Sequence, residues 1–142
     1  MPEYSGTSER ETVFVVALSN VSSDLGTGTS VAHFLIPFKF TLKKVVINVM
    51  TAPVGSAIAV DVNVSGQTII NDGLAISAGA YVSTTYQLVS GGNGTTGGGG
   101  TAVDSLTFDS GTAVTFDIVS VGSGTAGKVL KAYLYGSRQS DR

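Results

Sequence analysis

The chain has 142 residues, of which 42% are hydrophobic and 13% charged, with a net charge of −2. That length suits one domain with a single core, the apolar content excludes a disordered chain, and the charge leaves no electrostatic footprint for nucleic acid. The absence of cysteine excludes a disulfide framework and a thiolate metal site, so packing and hydrogen bonds must hold the fold.

The first twelve residues, MPEYSGTSERET, are polar, carry acids and have no apolar core of the kind a secretory leader needs. They read as a polar N-terminal arm over residues 1–12, followed by one domain over 13–136 and a short tail over 137–142. The run TVFVVALS is rich in β-branched residues and short, as a strand is. VAHFLIPFKF follows, with Pro37 placed at an edge, a bulge or a bend, and then KKVVINVM. After the turn TAPVGS comes AIAVDVNVSG, where Ile58, Val60, Val62 and Val64 alternate with Ala57, Ala59, Asp61 and Asn63. Residues 90–101 read SGGNGTTGGGGT, seven of twelve being glycine. AVTFDIVSVG then places Val114, Phe116 and Ile118 inward and Thr115 and Asp117 outward. KVLKAYLYG sets Leu130, Ala132 and Leu134 against Lys131, Tyr133 and Tyr135. No segment shows helical periodicity, and no apolar run approaches the roughly 20 residues of a membrane span. About eight strands, with turns at intervals of roughly ten residues, predict an all-β fold: a single-domain antiparallel β-sandwich, jelly-roll-like.

The glycine run lacks the lysine and the following helix of a phosphate loop. It reads instead as a connection inside the one domain, where added length costs little. His33 is the only histidine and sits in a strand run with no nucleophile motif near any serine, so no catalytic residue is assigned and the chain is read as a non-enzyme. The acids between Val45 and Gly127, Asp61, Asp72, Asp104, Asp109 and Asp117, are dispersed, and no calcium-loop pattern occurs. Asp61 and Asn63 place two oxygens on one strand face, which reads as a solvated face. No metal and no cofactor are therefore expected. The same stretch, Val45 to Gly127, has no Lys or Arg. Either one side of the domain is acidic and another basic, which orients docking, or the charges are ordinary solvated ones.

IPFKFTLKKVVINVMTAPVGSAIAVDVNVSGQTII, LAISAGA and VGSGTAGKVLKAYL together resemble a small β-rich module in structural proteins of tailed bacteriophages, marine and cyanobacterial phages among them. Ile36-Pro37-Phe38, Phe40-Thr41, Thr51-Ala52-Pro53, Gly55-Ser56, Val60-Asp61-Val62-Asn63 and Gly66 match its pattern in order, and Val129 departs from the glycine usual there. The resemblance implies a jelly-roll virion component assembled in the host cytoplasm. Its function would be that of a capsid decoration or cement protein, a homotrimer bound between major capsid proteins. The alternative is a tail-fibre, head-fibre or receptor-binding module. Neither nucleic acid nor membrane is expected as a partner. Candidate partner-contact residues are Tyr4, Arg10, Lys43, Lys44, Asn93 and Arg138.

Overall fold

The computed structural model describes residues 10–20, 22–71, 73–84, 87–90 and 100–139. The first sheet is built from β1 (Arg10–Ala17), β11 (Lys128–Arg138), β3 (Phe40–Thr51) and β9 (Leu106–Phe108), in that spatial order. The second has β2 (Gly28–Leu35), β10 (Ala113–Ser120) and β4 (Ile58–Val64) in order. The last of these pairs with β5 (Gln67–Thr68) at one end and β6 (Leu74–Ile76) at the other. β7 (Leu88–Ser90) and β8 (Thr101–Val103) form a separate hairpin. Every pairing between these strands is antiparallel. β1 to β4 alternate between the two sheets, as do β9 to β11, while β5 and β6 stay in the second sheet beside β4. The all-β sandwich expected from the sequence is the one observed.

Period-two sequences build the core. Val60, Val62, Val114, Phe116, Leu130, Ala132 and Leu134 are buried, as alternation requires, and pack against Phe40, Leu42, Val45 and Ile47 of β3. Burying each such large side chain contributes roughly 1.5–3 kcal/mol. At the corner where β1 meets β2, Phe14 touches three rings, with centroids 4.8 Å from Phe34, 5.6 Å from Phe38 and 4.9 Å from Phe40.

Local chemistry sets the turns. Val64 pairs with Gln67, and the two residues between them, Ser65 and Gly66, have φ of 53° and 77°. Positive φ at both central positions is the tight hairpin turn that follows the strand twist. Pro37 falls in the break between β2 and β3, where no ladder N–H is demanded of it.

The ends differ from the expected boundaries. β1 begins at Arg10, so residues 10–12 belong to the sheet rather than to an arm over 1–12. β11 runs to Arg138, taking 137–138 from the expected tail. Residues 91–99 of the glycine run lie outside the described residues. The residues that bracket the run, Ser90 and Thr101, are paired across the β7–β8 hairpin, so the run is a connection within the domain.

Candidate docking face

β1, β11 and β3 lie side by side, and their outward positions follow from the register. Val13 is opposite Tyr135, which is opposite Lys44; Val15 is opposite Tyr133, which is opposite Val46; Ala17 is opposite Lys131, which is opposite Asn48. The inward neighbours Val16, Leu130, Ala132, Leu134, Val45 and Ile47 are buried, so the outward row points away from the core. Val13 and Val15 are 48% and 54% exposed, and Tyr135 37%. Met50 extends the apolar surface toward the far end of β3.

The aromatic part of this face is held in place. Tyr133 and Tyr135 stack with centroids 6.4 Å apart, and Lys44 Nζ sits 4.8 Å from the centre of the Tyr135 ring, a geometry worth about 0.5–1 kcal/mol when exposed. Beside them runs an open groove of about 670 Å³, lined by Glu11, Val13, Lys43, Lys44, Tyr135 and Ser137 among others. A bulge makes its floor. Tyr135 faces Lys44 but Gly136 faces Leu42, so Lys43 is an extra residue in β3. A Cβ on Gly136 would clash with the Thr41 carbonyl oxygen and lie 2.6 Å from the Phe40 ring, so only glycine lets the two strands approach there.

Charge is as unevenly placed as the apolar surface. Among the described residues every Lys and Arg lies on β1, β3 or β11, or next to β3. They are Arg10, Lys39, Lys43, Lys44, Lys128, Lys131 and Arg138. The strands of the second sheet carry Asp61 and Asp117 and no Lys or Arg. Of the sequence-derived contact candidates, Lys43 and Lys44 line the groove. Arg10 and Arg138 are opposite one another at the end of the same sheet, with the Arg138 guanidinium 4.4 Å from the Phe38 ring centre. Tyr4 and Asn93 lie outside the described residues. The sequence reading missed Val13, Val15 and Glu11. TVFVVALS is apolar at both parities over most of its length, so alternation did not reveal which valines face out.

The second sheet corrects another expectation. Asp61, Asn63 and Asp117 are buried, at 3%, 2% and 5% exposure, and not a solvated face. Nor are the acids dispersed there, since Asp61 and Asp117 are direct cross-strand partners. Asp117 Oδ1 accepts the Ser30 N–H at 2.7 Å, and its Oδ2 accepts the Asn63 amide at 3.1 Å. The Thr68 hydroxyl donates to Asp61 Oδ1 at 2.6 Å. Asp61 Oδ2 and Asn63 Oδ1 are buried without a partner. Burial pushes the Asp61 carboxyl up to about 6, with the Asp117 charge acting in the same direction. The three partnered oxygens of Asp61 and Asp117 hold N–H or O–H donors, and among the described residues no group of three or more His, Asp or Glu converges that could hold a metal ion. His33 is exposed on β2, opposite Thr115.

No family model matches the chain and no curated protein matches it. Among solved structures, the chain aligns with Drosophila NLP-core, a crystal structure described in terms of pentamer formation and histone binding. The alignment covers 94% of this chain and 100% of that one, at 16% identity and a TM-score of 0.42. That neighbour is described as a pentamer that binds histones, not as a virion protein. On that finding the capsid decoration function is withdrawn, together with its fibre or receptor-binding alternative, the homotrimer and the major capsid protein as partner. A likeness of this degree carries neither the pentamer nor the histone to this chain.

Proposed function

We propose that the chain is a non-catalytic binding module that docks an acidic protein surface on the outward face of β1, β11 and β3. One observation carries this reading: the outward row of exposed Val13, Val15 and Tyr135 and half-buried Tyr133 coincides with the one sheet on or beside which all the described Lys and Arg residues lie. Apolar and aromatic groups supply the area that is desolvated on contact, and the basic rim supplies orientation and on-rate. Tyr is a good anchor because it offers a large contact at low side-chain entropy cost. The bulge at Gly136 lies in the groove beside Tyr135, over a packed apolar core.

The test uses a random glutamate–tyrosine copolymer as the acidic probe, with backbone amide shifts of the labelled protein as the readout. Shifts are expected on Val13, Lys43, Lys44, Tyr133 and Tyr135, with affinity falling as salt rises. The double variant Lys43→Glu, Lys44→Glu is expected to lose at least tenfold in affinity while melting as the parent does. Shifts confined to β4 and β10, or affinity indifferent to the double variant, would overturn the reading.

A further inference from the structure

The four sheet edges of the sandwich are not alike. Beyond β3 the first sheet is closed by the three-residue β9 at Phe40–Leu42 and by backbone bonds from Val49 to Tyr81 and from Ser83 to Ile47. Beyond β4 the second sheet ends in β5 and β6, of two and three residues. β2 is eight residues long but is interrupted. Its pairing with β10 shifts between Phe116 and Ile118, Ser30 stands at φ 48°, and the Ser30 N–H is turned onto Asp117. Short strands and bulges are the usual means of blunting an edge against further pairing. β1 has neither. Its eight residues pair with β11 without a register shift, it contains no proline or lysine, and among the described residues its other edge has no strand partner.

We propose that the open edge of β1 is a strand-addition site, and this rests on the docking-face reading above. An extended segment of the acidic partner pairs with Arg10–Ala17, with apolar side chains opposite Val13 and Val15 and a carboxylate opposite Arg10. The partner's chemistry follows from β1 itself. Val13 and Val15 are exposed and border the tyrosine row, so an added strand that places apolar groups beside them continues one apolar surface. Arg10 and Arg138 are direct cross-strand partners, and like charges in that position repel. Among the described residues neither has an ion-pair partner, the one pair there being Lys128 with Asp24. An incoming carboxylate relieves that repulsion. Main-chain hydrogen bonds then give affinity and the alternating side chains give choice of partner, as in other strand-addition complexes.

The probe is a seven-residue synthetic peptide alternating valine and glutamate, and the readout is amide hydrogen exchange of the full chain. The β1 amides that face the free edge are expected to slow at least tenfold at millimolar peptide, with those of β2 unchanged. Of the neighbours Thr12 and Val13, one N–H points to β11 and the other to the free edge. Thr12→Pro and Val13→Pro are therefore made as a pair. The variant that melts like the parent has lost only the outward donor, and it is expected to lose peptide protection. Protection on β2 instead, no protection at millimolar peptide, or a chain that self-associates and protects β1 without peptide would each overturn the proposal. Copolymer shifts on the tyrosine row with no peptide protection would remove strand addition and leave the docking face. Peptide protection with copolymer shifts confined to the second sheet would do the reverse.

Discussion

Asp61 shows how much a single carboxyl can weigh in a chain with so few charges. Two acids are direct cross-strand partners under cover, and one of them, with the neighbouring amide, has an oxygen without a donor. Protonating Asp61 supplies a donor where two acceptors have none and removes a buried like-charge repulsion. The consequence has a definite sign. Its folded value is about 6 against 3.8 for the free side chain, so between these two the folded chain keeps a proton that the unfolded chain gives up. Stability from this group is complete below about pH 4 and falls as pH rises to about 6, by roughly 3 kcal/mol in all. Asp61→Asn keeps an acceptor for Thr68 and offers a permanent donor in place of the acid. Denaturant unfolding at a series of pH values is expected to show the variant gaining on the parent between pH 4 and 6. At pH 7 it should be more stable by on the order of 2 kcal/mol. A difference between the two that does not vary with pH would show that Asp61 is ionised throughout. The sequence displayed Asp61 and Asn63 as an alternating face but gave no sign of their burial. Their partners are the Thr68 hydroxyl, which donates to Asp61, and Asp117, which accepts from Asn63, on strands whose pairing local periodicity does not report.

At the scale of strands, β11 is the element on which the most depends, because it is paired along its length with β1 on one side and β3 on the other. Its first residues are strained. Val129 has φ of 60°, a region costing a β-branched residue about 1–2 kcal/mol. Glycine is the residue that occupies such a φ without cost. Val129→Gly is therefore expected to raise stability by about 1 kcal/mol, since relief of strain outweighs the entropy of a freer unfolded chain. Val129→Ala, which keeps a Cβ, should give no such gain. Equal melting temperatures for the glycine and alanine variants would show that the strain is not stored there. The interior of β11 was legible in advance: Leu130, Ala132 and Leu134 alternate with Lys131, Tyr133 and Tyr135, and the first three are buried. β4 and β10 were legible in the same way on their inward sides. β1 was found as a strand but not oriented, because Val13, Phe14, Val15 and Val16 are all apolar. Its edge position, on which the strand-addition proposal turns, depends on residue 10 meeting residue 138, a pairing that spans the chain and leaves no local signal.

That pairing also governs how the whole molecule assembles. Arg10 and Arg138 are neighbours across β1 and β11, and β1 and β11 run antiparallel, so the two ends of the described domain emerge side by side. The first sheet cannot be completed until the last strand joins the first, and closing so long a loop slows folding in all-β sandwiches. A short linker joining the C-terminal to the N-terminal end would turn β11 and β1 into a hairpin. New ends can be placed between Gly94 and Thr95, in the glycine-rich connection whose bracketing residues, Ser90 and Thr101, remain paired. Polar, glycine-rich connections are where such cuts are best tolerated. In this permutant β1 and β11, paired over eight residues, become sequence neighbours, while β3 with β9 and β4 with β10 become more distant and the three-residue pair of β7 and β8 becomes the last and first strands. The largest entropy cost in the natural order is removed, and the order of the strands in space is kept. Stopped-flow refolding of the permutant is expected to be several-fold faster than the parent, with a single cooperative unfolding transition retained. A permutant that unfolds in two separate transitions would show that the two sheets are independent units. One that folds no faster would show that meeting of the first and last strands does not limit the parent's folding.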